Sequence, residues 1–254
     1  MRTYLMENMT WPEIKDAVER GVNTVIVAAG SIEQHGPHLA QSTDTLLGYA
    51  SSIDLAQRLG KTLVAPVIRP GLSSHHMALP GSLTLRPEVF AGLVEDYVHS
   101  YIHHGFQNIV LISAHGGNFH ALEEIAEELQ EKNPDVNIVT GASLSMVQKA
   151  LGQMEQEENV PQGACGGHAC DFETSVMLYF HEEHVRLDNV EKGFTGKLTP
   201  GLLKKLFQKG FTEISGNGIL GDPRAAEAER GKRYFEKLQQ VHMEAILEKL
   251  NQRK

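Results

Sequence analysis

The sequence has few cysteines, an excess of acidic over basic residues and no long apolar run, and each of these features excludes a class of protein. The two cysteines, Cys165 and Cys170, are too few for a disulfide framework, so we expect free thiols in a reducing cytoplasm. With 23 Lys and Arg against 32 Asp and Glu, the net charge of -9 argues against a surface that neutralises nucleic-acid phosphates. No segment is apolar enough for a membrane span or a signal peptide. We therefore expect a cytoplasmic protein with a small-molecule or peptide ligand.

Glycine-rich phosphate-binding motifs are also missing. Neither G-x-G-x-x-G nor G-x-x-x-x-G-K-[ST] follows any predicted strand, which disfavours a nucleotide-binding domain. The chain has no internal repeat and no low-complexity linker. A length of 254 residues therefore predicts a single domain over residues 1–254.

Four apolar segments rich in β-branched residues predict buried strands: "NTVIVAAG", "TLVAPVI", "QNIVLISA" and "VNIVTGAS". The segments between them have helical spacing, and the alternation predicts an α/β three-layer sandwich, with a mostly parallel central sheet and helices on both faces. One predicted helix opens at Pro87, and a long C-terminal helix is predicted with Asp222 as its N-cap and Pro223 at its first position. We expect this last helix to pack on the sheet or on a neighbouring subunit. The apolar stripes of three other predicted helices are Leu46, Ala50 and Ile53; Leu122, Ile125 and Leu129; and Phe172, Val176 and Tyr179.

Side chains that bind metals follow the first and third predicted strands. The stretch "SIEQHGPHLAQSTD" places Glu33, His35 and Asp44 after the first strand, and "SAHGGN" places His115 after the third. Because the carboxyl ends of parallel strands lie at one edge of a sheet, we expect these residues to lie close together. Mixed carboxylate and imidazole ligands suit zinc, manganese or iron. The sequence therefore predicts a divalent metal site at this edge.

A fourth motif, "GGHACDFETS", places His168 and Glu173 at the start of another predicted helix. As functional residues, Glu173 completes the metal site and His168 transfers protons. Each residue also has a structural interpretation: Asp44 as a helix N-cap, Glu173 as a first-turn carboxylate and His168 as a loop residue. The polar segment 151–170 before the helix is predicted to be a loop over the site.

Together these motifs resemble the creatininase (creatinine amidohydrolase) family. "GSIEQHGPHL", "STD", "SAHGGN" and "GHACDFETS" occur in the family's order, and "GLSSHHMALPGSLTL" and "GILGDPRAAEAERGK" resemble two further signature stretches. The resemblance implies that Glu33, His35 and His115 are metal ligands and that Asp44 bridges two ions. It also implies a homo-oligomer, specifically a hexamer.

One position departs from the creatininase pattern. Creatininase has a liganding glutamate two residues after the strand-end histidine, whereas this chain has Gly117. Either Glu173 supplies the missing carboxylate or the site holds a single ion. Creatininase also encloses its flat substrate with tryptophans, and the single tryptophan of this chain, Trp11, is far from the motifs, which disfavours creatinine as the substrate.

The predicted function is that of a metal-dependent amidohydrolase that cleaves a non-peptide C–N bond of a small-molecule amide. One or two ions, zinc foremost and manganese or iron as alternatives, would activate a water, and His168 would protonate the leaving nitrogen. The resemblance implies three substrate classes: cyclic ureido compounds, formamides, and the C-terminal end of a precursor peptide, as for a mycofactocin-type peptidase. A metal-binding protein without catalytic activity is the other interpretation.

Overall fold

The computed structural model describes residues 3–252, and its centre is a four-stranded sheet in which every neighbouring pair is parallel. The strand order is β2-β1-β3-β4, and the strands are β1 (Thr24–Ala29), β2 (Thr62–Val64), β3 (Asn108–Ser113) and β4 (Asn137–Thr140). The register of β1 and β3 runs from Thr24 opposite Asn108 to Ala29 opposite Ser113. The two central strands therefore end side by side.

The described residues form eight α-helices: α1 (Trp11–Glu19), α2 (Thr43–Leu59), α3 (Pro87–His103), α4 (Phe119–Lys132), α5 (Leu144–Glu157), α6 (Asp171–Phe180), α7 (Pro200–Lys209) and α8 (Ala228–Asn251). Helices α1, α3 and α4 share one core with the sheet, while α2 and α8 share another. Helices α5 and α6 pack outside α2 and α8. The predicted α/β sandwich with helices on both faces is therefore confirmed.

Strand β1 illustrates how the sequence produces the two cores. All six of its residues are buried; Val25 and Val27 contact the α1, α3 and α4 side, while Ile26 and Ala28 contact the opposite side. A strand that alternates between two apolar layers has no face for polar side chains, which explains the continuous apolar run. Each large apolar side chain buried in this way contributes about 1.5–3 kcal/mol.

The predicted start of the C-terminal helix is wrong. Asp222 caps a short 3-10 turn, Pro223–Ala225, and α8 begins only at Ala228. The chain is extended at Glu227, whose N–H donates to Ser175 Oγ at 3.1 Å, so a tertiary contact interrupts the helix. Helix α8 then packs on the sheet of its own chain.

Two further helix predictions differ in detail. The segment 151–170 is not all loop, because α5 continues to Glu157 and buries Leu151 and Met154. In α2 the predicted stripe is only half-buried, and Leu47 and Leu55 lie deeper, because this helix packs both against the sheet and against α8. The stripe of α6 ends at Tyr179, which is exposed.

No helix within residues 3–252 has the length and apolar character to cross a membrane.

The loops at the carboxyl edge of the sheet are tied together by Asn118, which follows β3. Its side-chain amide donates to the Gly30 carbonyl at 3.0 Å, and its side-chain oxygen accepts the Leu72 N–H at 2.9 Å. One residue thereby fixes the ends of β1 and β3 against the loop that follows β2. The asparagine of "HGGN" thus has a structural role at this edge.

Candidate metal centre

Glu33 and Asp44 lie at the centre of a buried polar cluster at the carboxyl edge of β1 and β3. Glu33 is fully buried, and Asp44, in the first turn of α2, is 2% exposed. One carboxylate oxygen of Glu33, Oε2, accepts a hydrogen bond from Ser31 Oγ at 3.1 Å, which fixes the carboxylate orientation. The other oxygen, Oε1, faces three histidine rings.

His115 faces both carboxylates through one ring nitrogen. Its Nδ1 lies 3.2 Å from Glu33 Oε1 and 3.3 Å from Asp44 Oδ2. Its Nε2 donates to the Leu72 carbonyl at 3.0 Å, so the neutral ring leaves Nδ1 without a proton. Proteins commonly orient a metal-binding histidine by a hydrogen bond from its other ring nitrogen to a backbone carbonyl.

His35 has the same arrangement on the opposite side of Asp44. Its Nδ1 donates to the Glu33 carbonyl at 3.2 Å, and its Nε2 lies 3.0 Å from Asp44 Oδ1 and 4.0 Å from Glu173 Oε1. In the neutral ring, the Nε2 lone pair of His35 therefore faces two carboxylate oxygens, which repel it. A positive charge between these three acceptors removes the repulsion. That charge is either a proton on His35 or a bound cation.

The pKa values of the histidines also show that the cluster favours a positive charge. Burial opposes a charged His35, but the nearby carboxylates, Asp44 foremost, outweigh it and raise the pKa of His35 to about 10. Burial also opposes a charged His115, yet Glu33 and Asp44 raise its pKa well above the usual value. The pKa of Asp44 is lowered, because the two histidines outweigh its burial. Burial raises the pKa of Glu173 to about 7.

Two carboxylate oxygens form no hydrogen bond of regular geometry within residues 3–252: Glu33 Oε1 and Asp44 Oδ2, both fully enclosed. Leaving a buried charged oxygen unpaired is costly, so these atoms fit a cation that replaces the missing donors. Ligand atoms within 4.8 Å of one another form three groups: Glu33, His35 and Asp44; His35, His168 and Glu173; and Glu33, His76 and His168. The donor set of carboxylates and imidazoles suits zinc or manganese.

Glu173 and His168 both lie at this cluster. Glu173 is in the first turn of α6; its Oε2 accepts the Ala169 N–H, and its Oε1 faces His35. His168 donates from Nε2 to the Gln34 carbonyl at 2.7 Å, which leaves Nδ1 facing Glu33 Oε1 at 3.7 Å. Burial lowers the pKa of His168 well below the usual value, and the charge of His35 lowers it further. His168 is therefore a neutral ring with a free lone pair directed into the cluster.

The structure thus brings together all six residues that the sequence analysis singled out, and it adds His76. The Nε2 of His76 lies 3.2 Å from Glu33 Oε1, and its Nδ1 accepts from the side-chain amide of Gln34 at 3.0 Å. The motif "SHH" could have indicated His76, because it lies in the loop after β2, and the loops that follow parallel strands reach the same sheet edge. His38 lies in the first loop but does not join the cluster, since its Nε2 pairs with Thr174 Oγ1 at 2.9 Å.

Gly117 occupies a position where no side chain fits. A Cβ atom there would lie 2.3 Å from the Leu72 carbonyl oxygen and 2.5 Å from His115 Nε2. Contacts shorter than 3.0 Å to backbone atoms require the chain to shift. A glutamate at this position therefore has no room unless the backbone shifts, and Glu173, which faces His35, is the third carboxylate of the cluster.

Residues 7–246 match the Creatininase family, described as creatinine amidohydrolase. The mycofactocin precursor peptide peptidase of Mycobacterium ulcerans is 31% identical over 236 residues, which cover 89% of this chain and 81% of that protein. The creatinine amidohydrolase of Pseudomonas putida is 26% identical over 97% of both chains. A creatininase variant of Zn-Zn type is 25% identical, covers 97% of this chain and 98% of that chain, and has a TM-score of 0.81. Since the family match spans nearly the whole chain, this protein belongs to the creatininase family.

Proposed function

We propose that this protein is a metal-dependent amidohydrolase whose ions are held by Glu33, His35, Asp44, His115 and Glu173. The observation that carries the proposal is the convergence of unpaired acceptors in a buried site. Glu33 Oε1 and Asp44 Oδ2 form no regular hydrogen bond among the described residues, and His115 Nδ1 lies within 3.3 Å of both. Within a family of metal-dependent amidohydrolases, this arrangement is best explained as a metal site.

The two oxygens of Asp44 support a site for two ions. Oδ2 faces His115 beside Glu33, while Oδ1 faces His35 beside Glu173. A carboxylate that offers one oxygen to each of two donor groups can bridge two ions. We propose zinc as the first choice and manganese or iron as alternatives; solved creatininases include a Zn-Zn type and a manganese form.

When bound, such ions lower the pKa of a water and polarise the substrate carbonyl. Within this arrangement, we assign proton transfer to His168. The Gln34 carbonyl holds its Nε2–H, so Nδ1, whose lone pair is free, accepts a proton inside the cluster and then donates it to the leaving nitrogen. Glu173, which Ala169 orients through its N–H, presents its Oε1 opposite His35.

A second candidate activity is that of a precursor-peptide peptidase. The observation that favours it is the similarity to the mycobacterial peptidase, which is higher in identity than the similarity to the Pseudomonas creatininase. Both activities hydrolyse a C–N bond next to a carbonyl and can use the same residues. Identifying the substrate therefore distinguishes the two activities.

The test is hydrolysis of an amide panel by the protein loaded with zinc or manganese. The panel contains creatinine, an N-formyl amide and short peptides, and released amines are measured by mass spectrometry. We expect turnover of at least one compound, loss of that turnover in His35→Ala, and retention in His120→Ala, an exposed histidine of α4. Turnover no faster than that of His35→Ala on every compound would support a metal-binding protein without activity.

The assembly and location of the protein are further parts of the proposal. We propose a homo-oligomer, a hexamer by resemblance to the family, which acts on a small-molecule amide in the cytoplasm. The free, buried thiols of Cys165 and Cys170 are compatible with a reducing compartment. Analytical ultracentrifugation checks the assembly, and a monomer at micromolar concentration would contradict it.

A further inference from the structure

His75 lies between the candidate metal centre and solvent. Its ring stacks on that of His115, with centroids 5.8 Å apart and an interplanar angle of 16°. The ring of Phe207, in α7, also contacts His75, with centroids 4.9 Å apart. Phe207 is 55% exposed, whereas His75 is 6% exposed. The three rings therefore form a continuous series from the surface to a proposed metal ligand.

The imidazole of His75 has no hydrogen-bond partner among residues 3–252. The other histidines of the cluster are each held by a backbone carbonyl or by Gln34. The ring nitrogens of His75 are not fully enclosed, so they retain some accessibility. A nearly buried polar ring that the protein itself does not bind indicates a group that pairs with a ligand.

The segment that carries Phe207 is built around a small core of its own. Leu206, Phe211 and Leu220 are buried there together with half-buried neighbours. Phe211 contacts the cluster directly, with ring centroids 4.7 Å from His168 and 5.8 Å from His75. The same helix nevertheless leaves Phe207 in solvent. Exposed aromatic rings beside a polar site are typical of binding surfaces.

Gly117 explains why His75 can take this position. The Cβ that a side chain would add at Gly117 would lie 3.1 Å from His75 Cε1. The imidazole therefore occupies space next to the position where creatininase has a glutamate. On this side of the centre, the wall is made of the rings of His75, Phe207 and Phe211.

We propose that Phe207 and His75 form a substrate subsite that takes an aromatic or other flat apolar group attached to the scissile amide. The flat group lies against the exposed ring of Phe207. His75 forms a hydrogen bond with a polar atom in the part of the substrate that joins this group to the amide. This inference rests on the proposed metal-dependent hydrolysis and names a substrate class for it. It disfavours small, fully polar amides that have no group to place against Phe207.

Two hydroxamates test the subsite without a known substrate, because a hydroxamate binds the metal while its substituent probes the wall. Acetohydroxamic acid and phenylacetohydroxamic acid are titrated into the zinc-loaded protein by calorimetry. We expect the phenyl compound to bind about tenfold more tightly, the order expected for one aromatic contact with partial burial. Phe207→Ala should remove this difference and leave the affinity for acetohydroxamic acid unchanged. His75→Ala should reduce the difference as well.

Trp11→Ala is the matched control, since it removes an aromatic ring that is 76% exposed on α1. It should behave as the parent with both compounds. Equal affinity of the parent for the two hydroxamates, or an unchanged preference in Phe207→Ala, overturns the subsite while leaving the metal centre intact. Failure of both hydroxamates to bind the zinc-loaded parent overturns the proposed function and the subsite together.

Discussion

Two buried polar clusters meet at α6, and they differ in whether their carboxylates have donors. On the α8 side, Asp171 accepts hydrogen bonds from Arg230 Nε at 3.0 Å, from Arg230 Nη2 at 2.9 Å and from the Tyr234 hydroxyl at 2.9 Å. On the sheet side, Glu33 Oε1 and Asp44 Oδ2 form no regular hydrogen bond within the described part of the chain. Burial alone does not separate the two clusters, because all three carboxylates are at most 2% exposed.

The difference in donors distinguishes a carboxylate that stabilises the fold from carboxylates that are available to a ligand. Asp171 is neutralised by the protein itself, so its pairing holds α6 against α8. Glu33 and Asp44 face histidine rings but form no regular hydrogen bond through Oε1 and Oδ2, which leaves these two oxygens available to the proposed cation. Asp171 and Glu173 lie two residues apart in one helix, yet they belong to different clusters.

The largest expected effect is on the rate. His168→Ala should hydrolyse the substrate found in the panel about a hundredfold to ten-thousandfold more slowly, because it removes the proposed proton carrier. Metal content should match that of the parent. A loss in turnover below about tenfold would remove His168 from the mechanism, and a loss of metal would make it a ligand.

Arg230→Met tests the closed cluster. Removing one partner of a buried ion pair leaves Asp171 uncompensated, so the free energy of unfolding should fall by about 3–5 kcal/mol. Arg233→Met is the matched control, because Arg233 pairs with Glu158 near the surface and should lose less than about 1 kcal/mol. Urea unfolding measures both. Equal losses in the two variants would contradict the structural role of Asp171, and metal content should stay at the parental level in each.

His242 provides a pH test outside both clusters. Its buried Nδ1 accepts the Ala142 N–H at 3.1 Å, and burial, assisted by Lys249, lowers its pKa from 6.5 to about 4. Between these values the unfolded chain binds the proton more readily, so stability is present above about pH 6.5 and is lost as the pH falls towards 4. The loss attributable to His242 is about 3 kcal/mol. In protein treated with chelator, His242→Gln should show a weaker fall in unfolding free energy between pH 7 and pH 4.5; an unchanged pH dependence would exclude this role.

The smallest expected effect concerns the second ion. Glu173→Gln keeps the shape of the side chain and removes its charge, so it should weaken the second ion by at least about tenfold and the first ion less. Stepwise zinc titration against a competing chelator measures both affinities, with Glu124→Gln on the exposed face of α4 as the control. If Glu173 points away from the ions in a metal-loaded crystal structure, the assignment is wrong and a single-ion site is favoured.

The sequence predicted the sheet and the position of the buried polar cluster for one physical reason. Continuous apolar runs identify strands buried on both faces, and parallel strands place the residues after them at one edge. Glu33 and His115, 82 positions apart, could therefore be expected to meet. His76 was not assigned, because its loop follows a strand of three residues and its path to the edge depends on packing.

Contacts between distant segments could not be predicted from local patterns. Arg230 and Asp171 are 59 positions apart, and nothing in the local sequence of either residue identifies the other. The same limit explains the misplaced start of α8: Asp222 and Pro223 are correct signals for a helical turn, but the contact of Glu227 with Ser175 ends that turn.

The most direct test of the central claim is the metal content of the purified protein. After dialysis against zinc or manganese and removal of loosely bound ions, elemental analysis should find at least one divalent ion per parental chain, and a strong chelator should remove it. Asp44→Ala should lose most of this metal, because its carboxylate serves both halves of the cluster, while Asp54→Ala, a control in the same helix, should retain it. A parental protein without stoichiometric metal, or an Asp44→Ala variant with parental metal content, would contradict the account.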